Sequence, residues 1–193
     1  MESTTEQSLT REKPTEPPVL YTASGWVAGT YQPSPDKFYQ GVLVTQDCQE
    51  IPAELHWRLR NKLKRKQPGY AMQPDFFLEP AQWMVYPSTN PLRFRLVIMK
   101  PLHSASSDEN GSNAEPGQKR ELEHFRMVGE IETVAGGTVT ICIHRNEQPP
   151  RGKEDDPEYQ PFILTLEGSV VPPQALGQIW ELEGKREGQM LAG

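Results

Sequence analysis

Turn-forming residues constrain the fold of this chain more than any other feature of its sequence. Nineteen prolines and fifteen glycines divide its 193 residues into short segments. Within these segments apolar residues often alternate with polar ones, which is the pattern of half-buried β-strands. We predict a mostly β fold, with strand segments at 25–31, 38–45, 50–55, 82–86, 92–99, 125–132, 138–145, 161–167, 177–182 and 189–192.

Two stretches of the chain are nearly free of large apolar side chains. They are residues 1–18 and 102–121, rich in Ser, Thr, Glu, Asn, Pro and Gly. Such segments cannot bury enough apolar surface to offset the roughly 1 to 2 kcal/mol per residue that ordering a chain costs. We therefore expect a disordered N-terminal tail at 1–18 and a flexible linker at 102–121. The linker would separate a β-rich domain with a basic helix, 19–101, from a β-barrel, 122–193.

The two sides of the predicted linker have similar plans. Each opens with a strand that holds a central glycine, Gly29 or Gly129, and continues through a short turn into a second strand. A glycine inside a strand marks either a sharp bend, as small closed barrels require, or a weak point in an edge strand. The five strand segments of 124–193 resemble an OB-fold, the small five-stranded Greek-key barrel. The resemblance implies one or two such barrels, the first a degraded or expanded copy with 55–66 at the position of the OB-fold helix.

A cationic run stands out in a chain whose formal net charge is -6. Only Glu54 opposes it nearby, so positive surface must be local and can attract an anion at this place. The run consists of Arg58, Arg60, Lys62, Lys64, Arg65 and Lys66.

The cationic run is compatible with a helix or with a strand. As a helix, it places Leu55, Leu59 and Leu63 on one stripe and ends at 68–69, a Pro-Gly pair. As a strand, it directs these leucines and Trp57 inward and lines the cations along the other face. The length of about a dozen residues and the lack of β-branched side chains favour the helix.

Single-stranded nucleic acid needs both cations and flat side chains on which bases stack. Strand alternation directs Tyr86 and Arg95 outward and Trp83 inward. However, aromatic residues at strand spacing are usually core, a basic run is usually a solvated helix face, and the sequence shows no RNP-like motif or GxxG clamp. The acidic loop at 148–160 would repel a long polyanion, which would confine binding to the first half. The aromatic residues near the run are Trp57, Tyr70, Phe76, Phe77, Trp83 and Tyr86.

The sequence carries no recognisable catalytic signature. It lacks GxGxxG, Walker A, GxSxG and HExxH motifs, so we predict that it is not an enzyme and has no cofactor. Cys142 and His144 share one strand face, but two ligands do not make a metal site. We predict no metal.

Composition also bears on location. No segment approaches the ~20 apolar residues that span a bilayer, and the N-terminus is polar where a secretory signal is apolar. Cys48 and Cys142 are too few for a disulfide scaffold. We expect a cytoplasmic protein without membrane insertion.

These observations favour a non-enzymatic adaptor that acts through protein–protein interaction, because small barrels offer sheet edges and loops to partners. The cationic run would then dock an acidic protein. The alternative is a protein that binds single-stranded nucleic acid, RNA or ssDNA. The candidate binding residues are Arg58, Arg60, Lys62, Lys64, Arg65, Lys66, Tyr86 and Arg95.

Overall fold

Most of the described chain is β-strand, as predicted. The computed structural model describes residues 19–66, 77, 79–102, 121–147, 151–152, 160–168 and 171–193. These residues form one α-helix, α1 (Trp57–Lys66), and ten strands: β1 (Thr22–Pro33), β2 (Gln40–Thr45), β3 (Glu50–Leu55), β4 (Ala81–Ser88), β5 (Arg93–Pro101), β6 (His124–Ala135), β7 (Thr138–Ile143), β8 (Phe162–Glu167), β9 (Ile179–Glu187) and β10 (Met190–Ala192). The tail predicted at 1–18 and nearly all of the predicted linker lie outside the described residues.

The first five strands close into a barrel. Hydrogen bonds link them in the ring β1-β2-β3-β5-β4 and back to β1. The β3 and β5 pair is parallel and the other pairs are antiparallel. Helix α1 follows β3 and precedes β4, which is the position that the OB-fold resemblance assigned to it.

The last five strands repeat this topology. They form the ring β6-β7-β8-β10-β9, closed by pairing of β6 with β9, and here β8 and β10 are the parallel pair. A 3-10 turn, Pro173–Ala175, lies between the third and fourth strands where the first barrel has α1. The first barrel is therefore a complete copy and not a degraded one.

The two barrels are joined through their first strands. Antiparallel pairing of β1 with β6 runs from Thr22 opposite Val128 to Gly25 opposite Phe125, which links all ten described strands into one hydrogen-bonded sheet. The ring of Phe125 stacks on that of Phe94 from the first barrel, with centroids 6.0 Å apart. Buried side chains of both barrels therefore form one continuous core.

The central glycines of β1 and β6 lie where backbones approach too closely for a side chain. A Cβ on Gly29 would lie 2.5 Å from the carbonyl oxygen of Val44, and one on Gly129 would lie 2.8 Å from that of Cys142. Both strands are paired on two sides, so neither glycine is a weak point of an edge strand. Each marks the bend that closes its barrel.

Gly29→Ala is expected to destabilise the protein by about 1 to 3 kcal/mol, the usual cost of forcing extra atoms into a packed site. The clash is with the backbone of β2, which cannot rotate away as a side chain could. Denaturant unfolding measures the effect, with Thr133→Ala on an exposed part of β6 as the control. Equal stability of the two variants would contradict this account.

One buried arginine connects the second barrel to the first. Arg186 on β9 is only 7% exposed. Its guanidinium donates to the Asp47 carboxylate at 2.8 and 3.2 Å, to Glu123 at 2.5 Å and to the Gly188 carbonyl at 2.7 Å. Asp47 belongs to the β2–β3 turn, so this Arg186 clamp spans the barrel junction with charge-assisted hydrogen bonds.

The clamp predicts a stability change in acid. Hydrogen bonds from Arg186 and from the Thr45 hydroxyl lower the pKa of Asp47 to about 2. Because an unfolded Asp titrates near 3.9, the interaction contributes fully above about pH 4 and is lost as the pH falls toward 2. Asp47→Asn should be less stable than the unsubstituted protein at pH 6, and the gap should close between about pH 4 and 2 in denaturant titrations. A gap that is independent of pH would contradict this assignment.

Candidate nucleic-acid interface

A cleft of about 1010 Å³ lies between the two barrels. The first barrel contributes parts of β2 and β3, the start of α1 and the ends of β4 and β5 that flank their connecting turn. The second barrel contributes the last residue of β7 and the four that follow it, 143–147, and Phe162 at the start of β8. The residues that begin β1 also line the cleft, so its walls come from both halves of the chain.

The cleft is cationic although the chain is acidic. Its lining contains four arginines and two glutamates, which give a formal charge of +2 when its two histidines are counted as neutral. Glu54 pairs with Arg95 at 2.7 Å, whereas Arg93 is exposed and has no ion pair within the described part of the chain. Cations gathered between low-dielectric walls focus a positive potential on one place. The charged lining residues are Glu54, Arg58, Arg93, Arg95, Arg145 and Glu147.

Aromatic rings lie beside these cations. Trp57 is 49% exposed and Tyr86 39% exposed, and both line the cleft. The guanidinium carbon of Arg58 lies 5.2 Å from the centroid of the Trp57 ring. In the second barrel, Arg145 lies 4.9 Å from the centroid of Phe162. Large rings that remain exposed next to arginines are suited to base stacking.

Hydrogen bonds between the barrels hold the cleft walls together. The Asn146 side chain accepts a hydrogen bond from the Tyr21 N–H at 2.8 Å and donates one to the Tyr21 carbonyl at 2.7 Å. The turn between β4 and β5 is bonded to Thr165 on β8, through Thr89 at 2.9 Å and Asn90 at 3.2 Å. The cleft is thus fixed by contacts at two places on the junction.

The cationic run forms a helix and not a strand. Leu55 ends β3, Leu59 and Leu63 follow on α1, and all three are buried. Trp57 is exposed, which contradicts the strand interpretation that directed it inward. The Pro-Gly pair predicted to end the helix lies outside the described residues.

Helical geometry separates the cations of the run. Arg58 lines the cleft, while Lys62 and Arg65 line a neighbouring shallow groove. Arg60 lies on another side of the helix, 4.2 Å from the centroid of Tyr39. Lys64 lies 5.9 Å from that of Phe38, and the side chain of Lys66 is not described. The run is therefore not a single stripe.

Strand alternation predicted which way the other side chains face. Tyr86 and Arg95 point outward and both line the cleft. Trp83 is buried, and its indole N–H donates to the Gly29 carbonyl at 3.0 Å. Phe77 is buried against Tyr31, so neither Trp83 nor Phe77 is available for stacking. Tyr70 and Phe76 lie outside the described residues.

The second barrel supplies cleft residues that sequence reasoning missed. Arg145, Asn146 and Phe162 are far from the cationic run in sequence, and pairing of β1 with β6 brings them to the cleft. Arg93 was also missed, although alternation within the predicted strand at 92–99 places it on the same outward face as Arg95. The sequence predicted that binding is confined to the first half, whereas the candidate cleft has walls from both halves.

Two further structural findings concern metals and membranes. No group of three or more His, Cys, Asp and Glu side chains that could hold a metal ion is found among the described residues. Cys142 is buried, and His144 lies 3.1 Å from a Glu130 carboxylate oxygen. Within the same described ranges, the helix present is too short and too polar to cross a membrane.

The architecture and the cleft define a mostly β protein built from two OB-fold-like barrels around a cationic cleft with exposed aromatic rings. Residues 23–101 match the family model described as the N-terminal OB-fold domain of the PatR RNA-binding protein, and residues 127–192 match that of the C-terminal cyanobacterial OB-fold-like RNA-binding domain. No match was found among curated proteins or solved structures. These matches support an OB-fold-like domain in each segment, which confirms the OB-fold resemblance.

The family models correct the predicted function. The C-terminal model is described as an RNA-binding domain and the N-terminal model as a domain of an RNA-binding protein, and neither description concerns protein–protein interaction. The prediction of a protein–protein adaptor was therefore wrong, and the alternative of nucleic-acid binding is the better supported interpretation. The adaptor prediction rested on the sheet edges and loops that small barrels share, and the sequence did not reveal that cations from both barrels gather in one cleft.

Proposed function

We propose that this protein binds single-stranded RNA in the cleft between its two barrels. The single observation that carries the proposal is the meeting of four arginines with exposed rings in one cleft. Arg58, Arg93 and Arg145 contact phosphates in this account, while Trp57 and Tyr86 stack on bases. The RNA-binding descriptions of both matching family models support the choice of ligand.

The exposed rings favour a single strand over a duplex. A ring can stack on a base only where that base has left its own stack, which happens in single strands, loops and bulges. The Trp57 ring and the Tyr86 ring lie at the cleft and are not buried in the core. Duplex RNA would offer phosphates to the arginines and would leave both rings unused.

Arg95 has a supporting role in this proposal. The side chains of Arg95 and Glu54 are both exposed. An exposed ion pair contributes at most about 1 kcal/mol to stability. A phosphate can therefore compete with Glu54 for the Arg95 guanidinium. Arg60 and Lys64 lie against rings outside the cleft, so this proposal gives them no contact with RNA, and it gives none to Lys66.

Three broader features belong to the same proposal. We assign the two RNA-binding domains to 19–101 and 122–193, joined by 102–121. The protein acts without catalysis, because its sequence has no catalytic motif. It acts in the cytoplasm, where the exposed free thiol of Cys48 is stable in a reducing environment.

The proposal is tested by a fluorescence anisotropy titration with labelled RNA of about 8 nucleotides, within the range that OB-folds occupy. Three phosphate contacts predict a slope of about −2 in log K against log salt, so affinity should fall roughly 20-fold between 0.05 and 0.2 M salt. A duplex of the same length should bind more weakly. Failure to bind at 0.05 M salt, or a preference for the duplex, would overturn the proposal.

A further inference from the structure

A shallow groove of about 430 Å³ follows one face of helix α1. Its lining residues, Trp57, Arg58, Asn61, Lys62 and Arg65, are spaced at intervals of three and four along the sequence. This spacing places them on one stripe of a helix. The α1 groove is thus formed by a single helical face.

The α1 groove is continuous with the cleft. Trp57 and Arg58 line both, and no other residue is shared between the two linings. The Arg58 guanidinium lies over the Trp57 ring, so a cation and a flat surface stand together at the junction. A polymer in the cleft that continues past this junction would enter the groove.

The chemistry of the α1 groove suits a polyanion. Its lining has three cations, one amide and one indole, and no carboxylate. Lys62 and Arg65 are exposed, and neither pairs with an acidic residue in the described part of the chain. At a rise of 1.5 Å per residue, the cations from Arg58 to Arg65 cover about 10 Å along the helix axis.

We infer that a bound RNA strand leaves the cleft past Trp57 and continues along the α1 groove, with phosphates at Lys62 and Arg65. This inference rests on the proposed RNA binding and extends it. It means that the protein contacts a longer strand than the cleft alone accommodates. Charge complementarity and continuity with the cleft are the two observations that support it.

The inference predicts an effect that depends on RNA length. We compare single-stranded RNAs of about 8 and about 16 nucleotides on the full chain and on the Lys62→Gln/Arg65→Gln double variant. At 0.1 M salt each lost phosphate contact lowers the affinity about fivefold. The loss of two contacts lowers the slope of log K against log salt by about 1.4. The variant should therefore bind the longer RNA about 25-fold more weakly, and the shorter RNA within about threefold of the unsubstituted protein.

The same helix offers a matched control. Arg60→Gln/Lys64→Gln removes the same charge from another side of α1, so it should leave both affinities within about threefold. Thermal unfolding checks that each variant is folded. The inference is overturned if the Lys62/Arg65 variant loses the same affinity for both RNAs. It is also overturned if the control variant loses as much affinity for the longer RNA as the Lys62/Arg65 variant does. Either result leaves the proposed function intact. No binding of either RNA to the unsubstituted protein overturns the proposed function as well.

Discussion

Replacing Arg93 and Arg145 together with glutamine is expected to weaken the binding of a short single-stranded RNA by about 25-fold at 0.1 M salt. The two arginines come from different barrels and line the same cleft. Each substitution removes one phosphate contact, worth about fivefold at this salt concentration, and the pair lowers the salt slope by about 1.4. Anisotropy titrations at several salt concentrations give both quantities.

The control for this experiment changes the net charge of the protein by the same amount. Arg151 and Lys185 are exposed and do not line the cleft, so Arg151→Gln/Lys185→Gln should change affinity by less than about threefold. The single variants add a sharper test. If Arg145→Gln has no effect while Arg93→Gln does, the second barrel does not contribute a phosphate contact, and the inter-barrel site is contradicted.

Arg186→Met is expected to lower the free energy of unfolding by about 3 kcal/mol, near the lower end of the range for breaking a buried ion pair. The methionine fills much of the space of the arginine stem but cannot bond to Asp47 and Glu123. The loss stays moderate because these two carboxylates are partly exposed and can be hydrated. For a chain of this size the melting temperature should fall by about 6 to 12 °C.

Arg126 provides the matched comparison for Arg186. It also pairs with a glutamate, Glu181, but both side chains are exposed, so solvent screens the pair and little stability depends on it. Arg126→Met should therefore lower the melting temperature by less than about 4 °C. If the two variants melt at the same temperature, the junction does not depend on the Arg186 clamp.

Local features of the fold were predictable from the sequence. The alternation of apolar side chains located all ten described strands, and the leucine spacing from Leu55 to Leu63 located α1. Alternation also identified Tyr86 and Arg95 as outward-facing. These predictions succeeded because burial of one strand face or one helix stripe requires apolar residues at regular intervals in the sequence.

Features that depend on distant contacts were not predictable in this way. The strand predicted at 177–182 corresponds to β9, which extends further, over Ile179–Glu187. The second half of β9 is charged, so the sequence did not indicate a strand there. Arg186 is nevertheless buried because it forms ion pairs. Pairing of β1 with β6 has no local signature, yet it creates the cleft and brings Arg145 to it. Without that pairing, the sequence indicated candidate residues in the first half alone, and the acidic loop at 148–160 argued against a long polyanion elsewhere.

The most direct test of the central claim is photo-crosslinking of single-stranded RNA that contains 4-thiouridine, followed by mass spectrometry of the attached peptides. The account predicts crosslinks in both barrels, on the segment with Trp57 or Tyr86 and on the segment with His144 or Phe162, because all four line the cleft. Crosslinks confined to one barrel, or placed on surfaces away from the cleft, would contradict it.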